Sequence, residues 1–233
     1  MSEPVCAVVG VGPGNGAAIA RRFAAEGHAV ALLARGAEFT RDLAQDLPNA
    51  RAYQCDVTDP AAIEAAFGAI GKDMGEVEVL VYNAGSGAWG SVEEVTAQSF
   101  ETAWRINALG ALLASQQVIP AMKRAGRGSI VVIGATASLK GGAKFAAFAS
   151  AKAAQRSLAQ SMARHLWPGG IHVALVIIDG AVDLPRTREM MPDKPDAFFL
   201  KPADIADTVF HLTRQSPSAW SFEVEARPFG EKW

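Results

Sequence analysis

Residues 5–26, VCAVVGVGPGNGAAIARRFAAE, decide the fold. Five apolar residues lead into four glycines within seven positions, Gly10 to Gly16, and then into an alanine-rich run with helical spacing. A strand that turns through glycines straight into a helix leaves a bare backbone at the helix N-terminus. Such a backbone can approach a phosphate closely and offer it N–H groups. The fingerprint G-x-G-x-x-G is not met, because Asn15 or Ala17 falls at the third glycine's place. The spacing present is Gly10-xxx-Gly14-x-Gly16. Pro13 has no N–H, so it shapes the loop without binding an anion. A tight glycine turn without a ligand is the plainer alternative.

Working outward, the apolar runs PVCAVVG, HAVALLA, ARAYQC, VEVLVY, GSIVVIGA, IHVALVII and WSFEVEA alternate with helical segments near 16–26, 37–46, 60–72, 97–124, 146–167 and 202–215. Continuous apolar runs suit strands covered on both faces, and end-to-end alternation with helices is the doubly wound pattern. The expectation is one α/β domain over residues 1–233: a Rossmann fold whose mostly parallel sheet of about seven strands lies between helix layers. No repeat or linker marks a second domain. The least regular stretch is residues 180–202, rich in proline and charge, which is either a lid over a substrate or a plain surface connection.

The 233 residues are half hydrophobic and carry a net charge of −2, which argues against nucleic acid as the main partner. No apolar run approaches the length of a membrane span. The opening MSEPVCAVVG carries an acidic residue and enters a strand-like run, so it does not read as a secretory signal. Cys6 and Cys55 form no metal-ligand spacing and read as reduced core thiols of a cytoplasmic protein. The four scattered histidines form no metal or nucleophile constellation, so no metal is expected.

Strand ends carry the ligand signals. The second strand ends in Ala34-Arg35 where an acidic residue would accept from the ribose hydroxyl of NAD. An arginine there can pair with a 2′-phosphate, which favours NADP(H) over NAD(H); a solvated surface arginine is the alternative. Asp56 and Val57 follow the third strand, and Asn83-Ala84-Gly85 follows the fourth, all at the edge where ligands bind in such sheets.

This ordered set of Gly10-xxx-Gly14-x-Gly16, Asp56-Val57, Asn83-Ala84-Gly85, Asn107 in RINALG and Lys152 resembles the short-chain dehydrogenase/reductase family. The resemblance implies an NADP(H)-binding oxidoreductase acting on alcohols or carbonyls, assembled as a homodimer or homotetramer through two long helices. It also implies a catalytic Ser that steadies the substrate oxygen and a Tyr that exchanges a proton with it. A Lys (here Lys152) binds the ribose and lowers the Tyr pKa, and an Asn (here Asn107) holds a water of a proton relay. At the Tyr position stands Phe148, and at the Ser position, 13 residues earlier, stands Ala135.

A phenyl ring exchanges no proton, and a positioned acid or base is worth roughly 10²–10⁴ in rate. Thr136 and Ser138 are near enough to shift in. Tyr53 and Tyr82, the only tyrosines, are not obvious replacements. Asp179 follows the sixth strand at the ligand edge; it is either an acid of raised pKa or, more simply, half of an Asp-Gly turn. Trp89, Phe145, Phe148 and the 184–200 stretch point to an apolar substrate pocket. Two functions follow: weak or atypical carbonyl/alcohol chemistry, or an NADP(H)-binding sensor, subunit or scaffold without turnover. Alanines of the two long helices (Ala103, Ala108, Ala111, Ala114, Ala146, Ala147, Ala153 and Ala159) offer a close-packing face for the assembly.

Overall fold

In the computed structural model, which describes residues 3–231, the strand–helix alternation closes into one seven-stranded sheet. Its strands are β1 (Val5–Val9), β2 (Ala29–Ala34), β3 (Ala50–Gln54), β4 (Val77–Tyr82), β5 (Gly128–Ala135), β6 (Ile171–Ile178) and, after a short two-stranded ladder of β7 (Ala181–Val182) with β8 (Phe199–Leu200), β9 (Glu223–Ala226). The order is β3-β2-β1-β4-β5-β6-β9, and every neighbouring pair runs parallel. All seven apolar runs of the sequence became its strands. The first two residues of the run read as no secretory signal lie outside the described residues.

The helices are α1 (Asn15–Ala25), α2 (Glu38–Asp46), α3 (Pro60–Asp73), α4 (Ala97–Trp104), α5 (Gly110–Ala125), α6 (Ala146–Leu166), α7 (Pro185–Met190) and α8 (Pro202–Thr213). Side chains of α1, α2 and α8 such as Ile19, Leu43 and Val209 pack on one sheet face. Those of α3, α5 and α6, such as Ile63, Val118 and Met162, pack on the other. The five inner strands are buried on both sides, which is why they read as apolar runs, while the edge strands β3 and β9 are partly exposed. Strand order reverses between β1 and β4, and this switch point is where ligands bind in such sheets. Among the described residues no helix is long and apolar enough to cross a membrane.

Three expectations change. The helical stretch 97–124 is broken by a π-helical turn at Arg105–Leu109 between α4 and α5. The 180–202 stretch is ordered by the β7–β8 ladder and by Arg188, which pairs with Asp183 and Asp196 and lies over the Phe199 ring. Six of the eight alanines read as an assembly face are instead buried within the chain: Ala103, Ala108, Ala111, Ala114, Ala147 and Ala159. Ala103 and Ala147 let α4 and α6 approach one another, while Ala111, Ala114 and Ala159 pack into the core under the sheet.

Candidate active site

The site begins at the switch point. Gly10, at φ 89°, occupies a left-handed conformation, and a Cβ there would lie 2.5 Å from the backbone nitrogen of Ala84. Its N–H donates to Leu33 O (2.9 Å), and its carbonyl accepts from Asn83 Nδ2 (2.7 Å). The glycine loop and the Asn83–Gly85 turn are thus locked together. A Cβ on Gly16 would sit 2.7 Å from Gly10 O, so this glycine is required for α1 to start beneath the loop. A Cβ on Gly12 would meet nothing, and one on Gly14 would meet only the side chain of Leu184 from the 180–202 stretch. The loop is therefore tight against the protein below and open above. Asn15 Oδ1, at the start of α1, is buried without a partner.

A cavity of about 600 Å³ opens over this loop, lined among others by Gly12, Arg35, Val57, Asn83, Ala84 and Gly85. Arg35 is exposed at its rim, next to the end of β2. Asp56 turns its Oδ1 to the N–H and hydroxyl of Thr58 (2.9 and 2.8 Å). Those bonds, with the field of Arg35, hold its carboxyl below the usual range.

Beyond Gly85 the cleft meets a buried polar chain. Lys152 is 6% exposed, and its Nζ donates to Ile133 O and to Gln155 Oε1, both at 2.9 Å. Gln155 Nε2 donates in turn to the backbone carbonyl of Asn107, also at 2.9 Å. That carbonyl belongs to the π-helical turn, whose wider hydrogen-bond pattern frees backbone oxygens for side chains. Tyr82 exploits the neighbouring one, donating its hydroxyl to Ile106 O. Asn107 donates to Ser86 Oγ (3.1 Å) and Ala103 O (2.9 Å), while its Oδ1 is buried without a partner. That oxygen and Lys152 Nζ lie 3.4 and 3.7 Å from the point where a Gly85 Cβ would stand, so both face the end of the cleft. Burial pushes the Lys152 amine down to about 7.

The family model described as short chain dehydrogenase matches residues 4–194. The chain belongs to the short-chain dehydrogenase family. It is 35% identical to the 3-oxoacyl-[acyl-carrier-protein] reductase MabA of Mycobacterium bovis over 183 residues, which cover 78% of this chain and 71% of that protein. A short-chain dehydrogenase structure from Rhodopseudomonas palustris superposes with a TM-score of 0.84 at 34% identity, covering 97% of this chain and 99% of that one. A metagenomic short-chain oxidoreductase in complex with NADP gives 0.84 at 30% identity, covering 97% of each chain.

Within this short-chain dehydrogenase, Ala135 ends β5, and Phe148 lies one turn before Lys152 on α6, on the same helical side. Of the nearby hydroxyls, those of Thr136 and Ser150 are engaged elsewhere. Thr136 Oγ1 donates to Asp179 Oδ1, and Ser150 Oγ donates to Ala146 O within its own helix. Ser138 Oγ is buried without a partner. Tyr53 bonds Asp73 (3.2 Å), and the Tyr82 phenol is fully buried. Asp179 does not stand in apolar surroundings as an acid would require: its second oxygen is 2.9 Å from an Arg227 nitrogen, and its N–H donates to Ala226 O. The turn reading fits it.

Among the described residues no group of three His, Cys, Asp or Glu could hold a metal. Both cysteines are free and buried, and burial pushes the Cys55 thiol up to about 11. Gln155 escaped sequence reasoning. The only signal for it is a polar residue on an otherwise apolar helix face three positions after Lys152.

Proposed function

We propose that this short-chain dehydrogenase binds NADP(H) and is an oxidoreductase of atypical carbonyl or alcohol chemistry. The observation that carries the proposal is the cleft lined by Gly12, Arg35 and Asn83–Gly85, with buried Lys152 and Asn107 set against its Gly85 end. The residues suit the cofactor. The open loop with Gly10, Gly14, Asn15 and Gly16 offers a backbone and a helix N-terminus to a pyrophosphate. Arg35 offers a fork of donors to a 2′-phosphate, and Asp56, Val57, Asn83 and Ala84 line the adenosine side. Lys152 takes the ribose, while Leu184 and the ordered 180–202 stretch cover the loop. The NADP complex of the metagenomic relative supports the choice of dinucleotide. When bound, that group supplies a hydride. This chain's residues bind and orient it, and at 135 and 148 they supply no hydroxyl to exchange a proton with substrate.

Gln155 favours a second reading, an NADP(H)-binding protein without turnover. Its amide fills the path between Lys152 and the Asn107 carbonyl, and an amide accepts on one atom and donates on another without passing a proton along. Calorimetric titration of wild type and Arg35→Ala with NADPH and NADH tests the cofactor assignment. NADPH is expected to bind more tightly, and Arg35→Ala to lose roughly tenfold for NADPH alone, the worth of about one charge-assisted contact. Equal losses for both dinucleotides would remove the basis for the assignment.

A further inference from the structure

Three aromatic rings from two separate segments stand together beyond the Gly85 end of the cleft. The indole of Trp89 lies 4.7 Å from the ring of Phe145 and 5.3 Å from that of Phe148, tilted at 60° and 48°. Phe145 and Phe148 meet edge to face at 6.3 Å. Backbone bonds stitch the segments together: Gly90 N–H to Lys144 O (2.8 Å) and Ala146 N–H to Gly90 O (3.2 Å). Gly90, at φ 153°, has a backbone that side-chain-bearing residues rarely adopt. The ring geometry is therefore fixed by the chain, although Trp89 is 58% exposed. A large ring held rigidly yet left open to solvent is an unusual use of apolar surface.

The cluster is continuous with the cleft. The indole folds back over Gly87, where a Cβ would be 3.1 Å from Trp89 Nε1, two residues beyond cavity-lining Gly85. Phe148 shares its helical side with Lys152, whose amine faces Gly85.

An independent observation bears on the same ligand. Position 148 has no hydroxyl, the Thr136 hydroxyl is committed to Asp179, and Gln155 bridges Lys152 to the Asn107 carbonyl. Negative charge developing on a bound carbonyl oxygen thus finds no proton from these side chains. Hydride added to a quinone leaves a hydroquinone anion whose charge spreads over the ring and which takes its proton from water. Hydride added to an isolated or aryl ketone instead leaves an alkoxide localised on the oxygen of a tetrahedral carbon. Flatness is also what lets a ligand stack on tilted aromatic faces.

We propose that Trp89, Phe145 and Phe148 form the substrate seat and that it takes a planar carbonyl compound of the quinone class. The proposal rests on the reading of the cleft as a dinucleotide site, and its test separates the two. The protein loaded with oxidised NADP, which cannot reduce the ligand, is titrated by calorimetry with 2,3-dimethyl-1,4-naphthoquinone (the flat ketone) and with its ring-saturated dione (the saturated ketone). The flat ketone should bind more tightly. Trp89→Ala should weaken the flat ketone by roughly three- to tenfold, the worth of one aromatic pair, and Trp89→Phe should restore most of that loss. The saturated ketone, which keeps only apolar contact, should lose less than the flat one in Trp89→Ala, and NADPH should change less than about twofold in either variant.

Equal affinity of wild type for the two ketones, or an equal loss of both in Trp89→Ala, would overturn the seat. A fall in particle mass by light scattering in Trp89→Ala would also overturn it, because the rings would then be covered by a second copy. If NADPH fails to bind while the flat ketone still prefers wild type, the dinucleotide reading falls and the ring seat stands.

Discussion

Replacing Lys152 by methionine removes the one buried lysine among the described residues while keeping a chain of similar length. Burial holds that amine down to about 7, against an unfolded value of 10.5. The unfolded chain therefore binds more protons than the native one between these values. The wild type is destabilised by this group when the pH is below about 7, and it recovers stability as the pH rises toward 10.5. For a group half-protonated near 7 in the native state, linkage gives a gain of about 2 kcal/mol between pH 7 and 9, approaching about 1.4 kcal/mol per pH unit. Lys152→Met should lack this gain. Its absolute stability also changes, because Ile133 O and Gln155 Oε1 lose their donor, at about 1–3 kcal/mol for each oxygen left unpaired. The difference in pH slope is what isolates the amine. The buried thiols of Cys6 and Cys55, both pushed up, act in the two proteins alike and cancel. Urea denaturation of both proteins across this range provides the assay. Parallel curves would show that the amine keeps its ordinary affinity for protons, and the reasoning from burial would be refuted.

Gly16→Ala should cost about 1–3 kcal/mol by urea unfolding and weaken NADPH, since its methyl would meet the Gly10 carbonyl at 2.7 Å with no flexible side chain to yield. Gly14→Ala should be milder, because only Leu184 must move; equal effects would contradict this account of the loop. Ala135→Ser/Phe148→Tyr should raise NADPH-dependent reduction of an activated ketone by an order of about 10², most of it from Phe148→Tyr. No increase in a folded, NADPH-binding variant would favour the reading without turnover. Light scattering should give a dimer or tetramer mass, with α4, which leaves Phe100 and Trp104 exposed, at the contact. A monomer mass at micromolar concentration would refute that expectation.

Much of this protein could be read along its length. Five of the seven runs became inner strands that are apolar almost throughout because both faces are covered, and the two edge strands β3 and β9 keep polar residues on their exposed positions, a local property of the chain in each case. The glycine loop was legible for the same reason, as backbone freedom is written in residue type at Gly10 and Gly16. The absence of hydroxyls at 135 and 148 is a plain matter of identity. Tertiary structure decided the direction and partnership of side chains. Sequence periodicity gives alanines 103, 111 and 114 as small but cannot say that the first packs against α6 of its own chain and the other two against the core under the sheet. Gln155 joins Lys152 to a carbonyl 48 positions earlier, which is free only because the helix opens into a π-turn there. Asp179 read more simply as half of an Asp-Gly turn, but only the fold brings Arg227, just after β9, beside it. Local pattern reports which groups a residue can bury. Which polar groups then meet is set by the packing of segments far apart in the chain, where each buried donor must find an acceptor.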